Sequence, residues 1–188
     1  MAVAQPLQML LEEHRIVASV LAALETKLQD LERQPFPKEF IEQALDFLSN
    51  FTDRCHLPKE EDRLFPLLWE KGMPLEKGPL GALMDEHQAG RRHLDEVRAQ
   101  LTVAEQGSAE AVAAVRAALS AYVQFIRQHM QKEEQRVFNV ARRLLDRHDM
   151  ARLEREFEEL EREQIGPAVH LWYGTLALRL SEAARRQP

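Results

Sequence analysis

The chain has little to punctuate it, with only seven glycines and nine prolines in 188 residues, gathered in a few places. No alternating strand pattern occurs anywhere, which leaves an all-α class. A single cysteine, Cys55, excludes an intramolecular disulfide and suggests a reducing compartment. Neither a basic stripe nor a polybasic tail occurs, and the net charge of −6 argues against a nucleic-acid or anionic-membrane binder. Arg142-Arg143 and Arg185-Arg186 read as solvated faces. No uninterrupted apolar stretch is long enough to cross a bilayer, so no membrane partner is expected. The N-terminus lacks a basic n-region and reaches Glu12 and Glu13 early, so no secretory signal is visible and the cytoplasm is the expected location.

What the chain does have is apolar residues (45%) and charges (30%) in the proportions of a soluble, helix-rich globular protein. Leu7, Leu10, Leu11, Val17, Val20, Leu21, Leu24, Leu28 and Leu31 recur at three- and four-residue spacings, predicting a helix over 7–31 that Gln34-Pro35-Phe36-Pro37 stops. A second helix runs from about Pro37 to Glu70, with Pro58 inside it. Glycines and prolines between 72 and 79 make a connection to a third helix, about Leu80 to Ala104, broken by Gln106-Gly107-Ser108. The fourth spans roughly Ala109 to Arg147. Short links predict an antiparallel, up-down-up-down four-helix bundle over residues 1–148. A C-terminal helical extension, 149–188, is broken at Gly166-Pro167 and packs on the bundle or forms an interface. A homodimer through these last helices is one expectation.

One chemical motif is stated twice. His14, His56 and Glu60 recur as His87, His129 and Glu133, each 73 residues on. The surrounding text recurs with them: Leu11-Glu12-Glu13-His14 as Met84-Asp85-Glu86-His87, and the run 56–65 as the run 129–138. Positions four apart on a helix lie within roughly 40° of one face. His56 and Glu60 therefore project together, as do His129 and Glu133. Glu61 and Glu134 lie about 100° further round, facing solvent or the bundle edge. Glu13 and Glu86, adjacent to His14 and His87, cannot chelate with them. Leu64 and Val137 continue the inward face. A lone His-x-x-x-Glu is more often a surface pair than a ligand set, but two in register, each preceded by a helical histidine at the same distance, point to metal. Two neutral nitrogens and one carboxylate per half suit a borderline ion such as iron or zinc.

On these residues the chain resembles the hemerythrin-like, HHE cation-binding family over about residues 7–147. The resemblance implies a four-helix bundle around two non-haem irons. Glu60 and Glu133 would bridge them together with an oxo or hydroxo group, and His14, His56, His87 and His129 would be terminal ligands. True hemerythrins carry a further histidine four residues after the third-helix histidine, where this chain has Arg91. A guanidinium cannot ligate, so the resemblance implies an open position suited to oxygen, peroxide or nitric oxide. Binding, sensing or reducing such an oxidant is the expected function. The alternative is a non-catalytic iron-binding, sensing or storage module acting through its C-terminal helices.

Of the remaining histidines, His93 points about 120° from His87 and suits a surface role. His148 is expected at the end of the fourth helix, where a cation suits the dipole. His170 is the leading extra ligand, although a packed role is the safer reading. Tyr122 is placed in the core or beside the metals, and Trp172 and Tyr173 in a lid or dimer contact. Gly90, in mid-helix, suggests close packing or an ordinary helix contact.

Overall fold

The computed structural model describes residues 6–29, 36–104 and 108–186. Within them lie six helices: α1 (Pro6–Gln29), α2 (residues 38–70), α3 (Pro79–Ala104), α4 (Ala109–Leu144), α5 (residues 147–165) and α6 (Pro167–Arg185). No strand occurs among the described residues. The expected positions of Leu31, Gln34-Pro35 and Gln106-Gly107 fall outside them. Successive helices meet early residue to late residue: Lys27 lies over the Phe40 ring while His14 meets His56, and Arg98 reaches Leu45 while His87 meets Glu61.

Two boundaries differ from expectation for one local reason. α4 stops at Leu144 and α5 starts at Arg147. Asp146 caps α5 by accepting from the backbone N–H groups of His148 and Asp149, and Asp149 accepts in return from the Asp146 N–H at 3.0 Å. That reciprocal pair satisfies the donors a helix start exposes. His148 therefore sits in the first turn of α5 rather than the last turn of α4, the end where a helix dipole does not favour a cation. At the α5–α6 break Gly166 adopts φ +81°, a conformation costly for other residues, and Pro167 opens α6.

α2 and α4 are not uniformly wound. Thr52–His56 and Glu60–Leu64 in α2, and Glu133–Val137 in α4, form wide π-helical turns, with Phe65 N–H bonded to Glu60 O and Phe138 N–H to Glu133 O. In α2, Pro58 and Pro66 each remove an N–H and crowd the preceding turn, which a widened turn relieves. α4 has no proline there, yet its wide turn stands at the same repeat position. Each wide turn admits one extra residue, so Phe65 and Phe138 join Leu64 and Val137 in being fully buried.

Two apolar clusters form the core. One gathers Val17, Phe47, Phe51, Leu94, Leu119, Tyr122, Tyr173 and Leu180, and the other Leu10, Leu64, Phe65, Leu83, Val137, Phe138, Leu153 and Phe157. α6 contributes to the first and α5 to the second, so the tail is not a thin appendage. Between the clusters, on four helices, lies a layer of buried polar groups. α4 alone among the described residues is long and apolar enough that length and composition by themselves would suffice to cross a bilayer. It also carries His129 and Glu133 of that polar layer.

Candidate metal centre

All six repeated residues enter the polar layer, and none is more than 6% exposed. α1 supplies His14, α2 His56 and Glu60, α3 His87, and α4 His129 and Glu133. The Nε2 atoms of the four histidines face inward. His14 Nε2 lies 3.1 Å from His56 Nε2 and 3.3 Å from Glu133 Oε2. The other oxygen of Glu133 lies 3.3 Å from His87 Nε2 and 3.2 Å from His129 Nε2. Glu60 stands 3.6 Å from both His56 and His87. Atoms of His14, His56, Glu60 and Glu133 all lie within 4.8 Å of one another, as do those of His87, His129 and Glu133. Two groups able to hold a cation thus share Glu133.

The outward ring nitrogens are also occupied, by residues that sequence reasoning set aside. His56 Nδ1 donates to Glu13 and His129 Nδ1 to Glu86, each at 2.9 Å. His14 Nδ1 donates to Glu134 at 2.9 Å, and His87 Nδ1 to Glu61 at 2.7 Å. Phase along a single helix placed Glu61 and Glu134 at the edge, where they do lie, and ruled out Glu13 and Glu86 as chelators of their own neighbours. Each instead serves a histidine on the adjacent helix. The rings of Phe65 and Phe138 stack on His87 and His14. A signal was available: Glu13/Glu86, Glu61/Glu134, Lys59/Lys132 and Phe65/Phe138 all repeat at the same 73-residue offset as the six inward groups.

This second ring fixes the chemistry of the first. A carboxylate only accepts, so a neutral imidazole facing one carries its proton on Nδ1 and presents an Nε2 lone pair inward. Four lone pairs then converge with two glutamates. Both oxygens of Glu60 and Oε2 of Glu133 are buried without a hydrogen-bond partner. Such orphaned acceptors are costly to bury unless a cation or proton completes them, and the mixed nitrogen–carboxylate set fits iron. Without metal, protons serve instead. Burial opposes charge on His14 and His87, but the Glu133 carboxylate facing both and the hydrogen bonds to, respectively, Glu134 and Glu61 outweigh it and raise both to about 10. Burial, reinforced by the Glu133 charge, pushes Glu60 well above the usual carboxylate range. Burial also works against the Glu133 charge, yet the surrounding histidines, His129 foremost, hold it well below that range.

Beside the Nε2 atoms is a cavity of about 50 Å³ whose walls include Val17, Leu94, Tyr122, Ile126 and Met130. That exceeds the space one water requires. Gly90 lines it: a Cβ there would meet Ile126 Cδ1 at 3.4 Å, tight but yielding, so packing does not strictly require glycine. Arg91 also borders it, one turn after His87, with Nε donating to Asp53 at 2.7 Å and Nη2 to Glu61 at 3.4 Å.

His170 is not brought to the inward nitrogens. It pairs with Glu161 at 3.0 Å and packs edge-on to Phe51. His93 is half-buried against the Phe125 ring, Cys55 is buried, and Tyr173 packs on Phe47 and Phe51 while Trp172 remains exposed.

A helical protein in which four buried histidines and two glutamates, one of them shared, converge, each histidine backed by a carboxylate, is a cation-binding protein by design of its core. Residues 5–141 match the hemerythrin HHE cation-binding domain, and the chain belongs to that family. No match was found among curated proteins or solved structures.

Proposed function

We propose that the chain is a non-haem di-iron protein that binds, senses or reduces a small oxidant such as oxygen, peroxide or nitric oxide. The observation that carries this reading is the pair of ligand groups joined through Glu133, with unpartnered oxygens of Glu60 and Glu133 at their centre. His14, His56, His87 and His129 would hold the metals, with Glu60 and Glu133 spanning them, in an up-down-up-down four-helix bundle formed by α1 to α4. Bound iron supplies redox equivalents and a Lewis-acidic position for the oxidant. The chain's own residues do the rest. The Nδ1-bound carboxylates fix each imidazole, and the largely apolar cavity admits a small molecule. Arg91, held by Asp53 and Glu61, leaves its family position without a ligand. The test is metal analysis with an optical spectrum. About two irons per chain, with charge-transfer absorption from a carboxylate-bridged ferric pair, is the expected result. A stable protein that takes up no iron refutes the proposal.

A second reading is favoured by the exposed Leu171, Trp172 and Leu178 of α6. In it the centre stores or senses iron and α6 passes the state to a partner or a second copy. Turnover separates the two: added peroxide gives sustained consumption in a catalyst and one stoichiometric spectral change in a sensor.

A further inference from the structure

The duplication that builds the centre is broken around Lys59. Lys59 and Lys132 occupy equivalent repeat positions, and each donates to the carboxylate that backs a histidine, Lys59 to Glu13 and Lys132 to Glu86. Their surroundings differ completely. Lys132 is 45% exposed and bonds Glu86 at 2.5 Å in contact with water. Lys59 is fully buried, bonded also to Cys55 O at 2.8 Å and to Glu161 of α5. Glu161 opens the wide π-helical turn Glu161–Ile165 and is in turn paired with His170 of α6. The tail has no counterpart in the repeat, so among the described residues nothing equivalent braces Lys132.

We propose that Glu161 and His170 are positioning residues that make the two halves of the centre unequal. They act through one continuous chain, His170–Glu161–Lys59–Glu13–His56, whose last member presents Nε2 to the site. Glu13, Glu161 and His170 also come close enough to one another to suggest a third cation site. The Lys59 ammonium already sits between the two carboxylates, so that position has its cation. A buried ammonium needs carboxylate partners, since water cannot replace them. Lys59 therefore pins Glu13, and Glu13 pins the His56 ring. On the other half Lys132 can swing into solvent, leaving Glu86 and His129 freer. The metal held by His14 and His56 is accordingly the slower to leave, and the metal held by His87 and His129 the faster.

The inference rests on the two-metal reading above, and its test separates the two. Protein loaded anaerobically with ferrous iron is mixed with excess bipyridine, and release is followed by absorbance. The parent releases two equal phases at least about tenfold apart, the lower end of what outer-shell partners contribute. Glu161→Gln accelerates the slow phase by about tenfold and leaves the fast phase in place. Lys132→Met leaves the slow phase unchanged. General destabilisation accelerates both phases alike, so selective change is the signature of positioning. If Glu161→Gln does not fold, His170→Gln, at a half-buried site, is expected to accelerate the same slow phase more weakly. Two irons leaving in one phase, or both phases shifting together in the variants, overturns the inference while the di-iron reading stands. Failure to bind iron at all overturns both.

Discussion

Glu134→Ala removes a carboxylate that never touches the inward nitrogens, and its effect measures how much the outer ring matters. Glu134 accepts from His14 Nδ1 at 2.9 Å, which fixes the ring and its tautomer. Losing such a partner lowers metal affinity by about 10–100-fold, or about 1.4–2.7 kcal/mol. Glu134 is 43% exposed, so water takes over part of its role, and the loss falls near the tenfold end. Glu13 is only 2% exposed. Glu13→Ala leaves His56 Nδ1 without its carboxylate and the buried Lys59 with Glu161 as its one remaining carboxylate, and the loss falls near about a hundredfold. Glu133→Ala goes further still, because Glu133 faces His14, His87 and His129 at 3.2–3.3 Å and belongs to both ligand groups. Glu60→Ala likewise exceeds Glu61→Ala, whose partner His87 keeps both inward carboxylates. The assay is competition between apoprotein and a chelating dye for ferrous iron, with circular dichroism to confirm folding. Parent-like affinity in Glu134→Ala refutes the role assigned to the outer carboxylates. Glu133→Ala binding no worse than Glu134→Ala refutes the inward geometry.

Three further outcomes follow from the same contacts. His14 and His87 rise from 6.5 to about 10 in the metal-free fold, so the stability they add is fully present below about pH 6.5 and lost as pH rises through about 10. The melting temperature of the apoprotein should fall across that window, and iron binding near pH 7 should release protons, measurable by calorimetry in buffers of different ionisation enthalpy; absence of proton release contradicts the protonated apo centre. Gly90→Ala should be tolerated and gain up to about 1 kcal/mol from helix propensity, whereas Gly90→Leu should fill the cavity, cost about 1–3 kcal/mol by overpacking and slow the reaction with oxygen without lowering iron content. If Gly90→Leu reacts with oxygen at the parental rate, the oxidant does not use that cavity. Arg91→His frees Asp53 and offers an imidazole one turn after His87; the expected result is an altered spectrum and a shift towards reversible oxygen binding by the reduced protein, and a titration identical to the parent counts against an open position there.

The sequence alone determined that this is an all-helical protein with six inward-facing candidate ligands. Helical periodicity and a constant repeat offset are local properties, written in the order of residues along each helix. The same logic placed the helix breaks at Gly166 and between 72 and 79, because glycine and proline act on their own backbone. What it missed lies between helices. Glu13 is one residue from His14 yet backs His56, and Glu134 lies beside the Glu133 of α4 yet backs His14 of α1. No spacing along one chain segment encodes which neighbouring helix a side chain will meet. The wide turns at Glu60–Leu64 and Glu133–Val137 were illegible for a related reason. Only packing against the other helices rewards the irregular winding that brings Phe65 and Phe138 over the histidines. The tail was decided by tertiary structure alone. Its sequence reads as two amphipathic helices, but whether Glu161 meets solvent or the buried ammonium of Lys59 depends on how α5 and α6 pack over α1 and α2, where burial turns an ordinary surface charge into an obligatory partner.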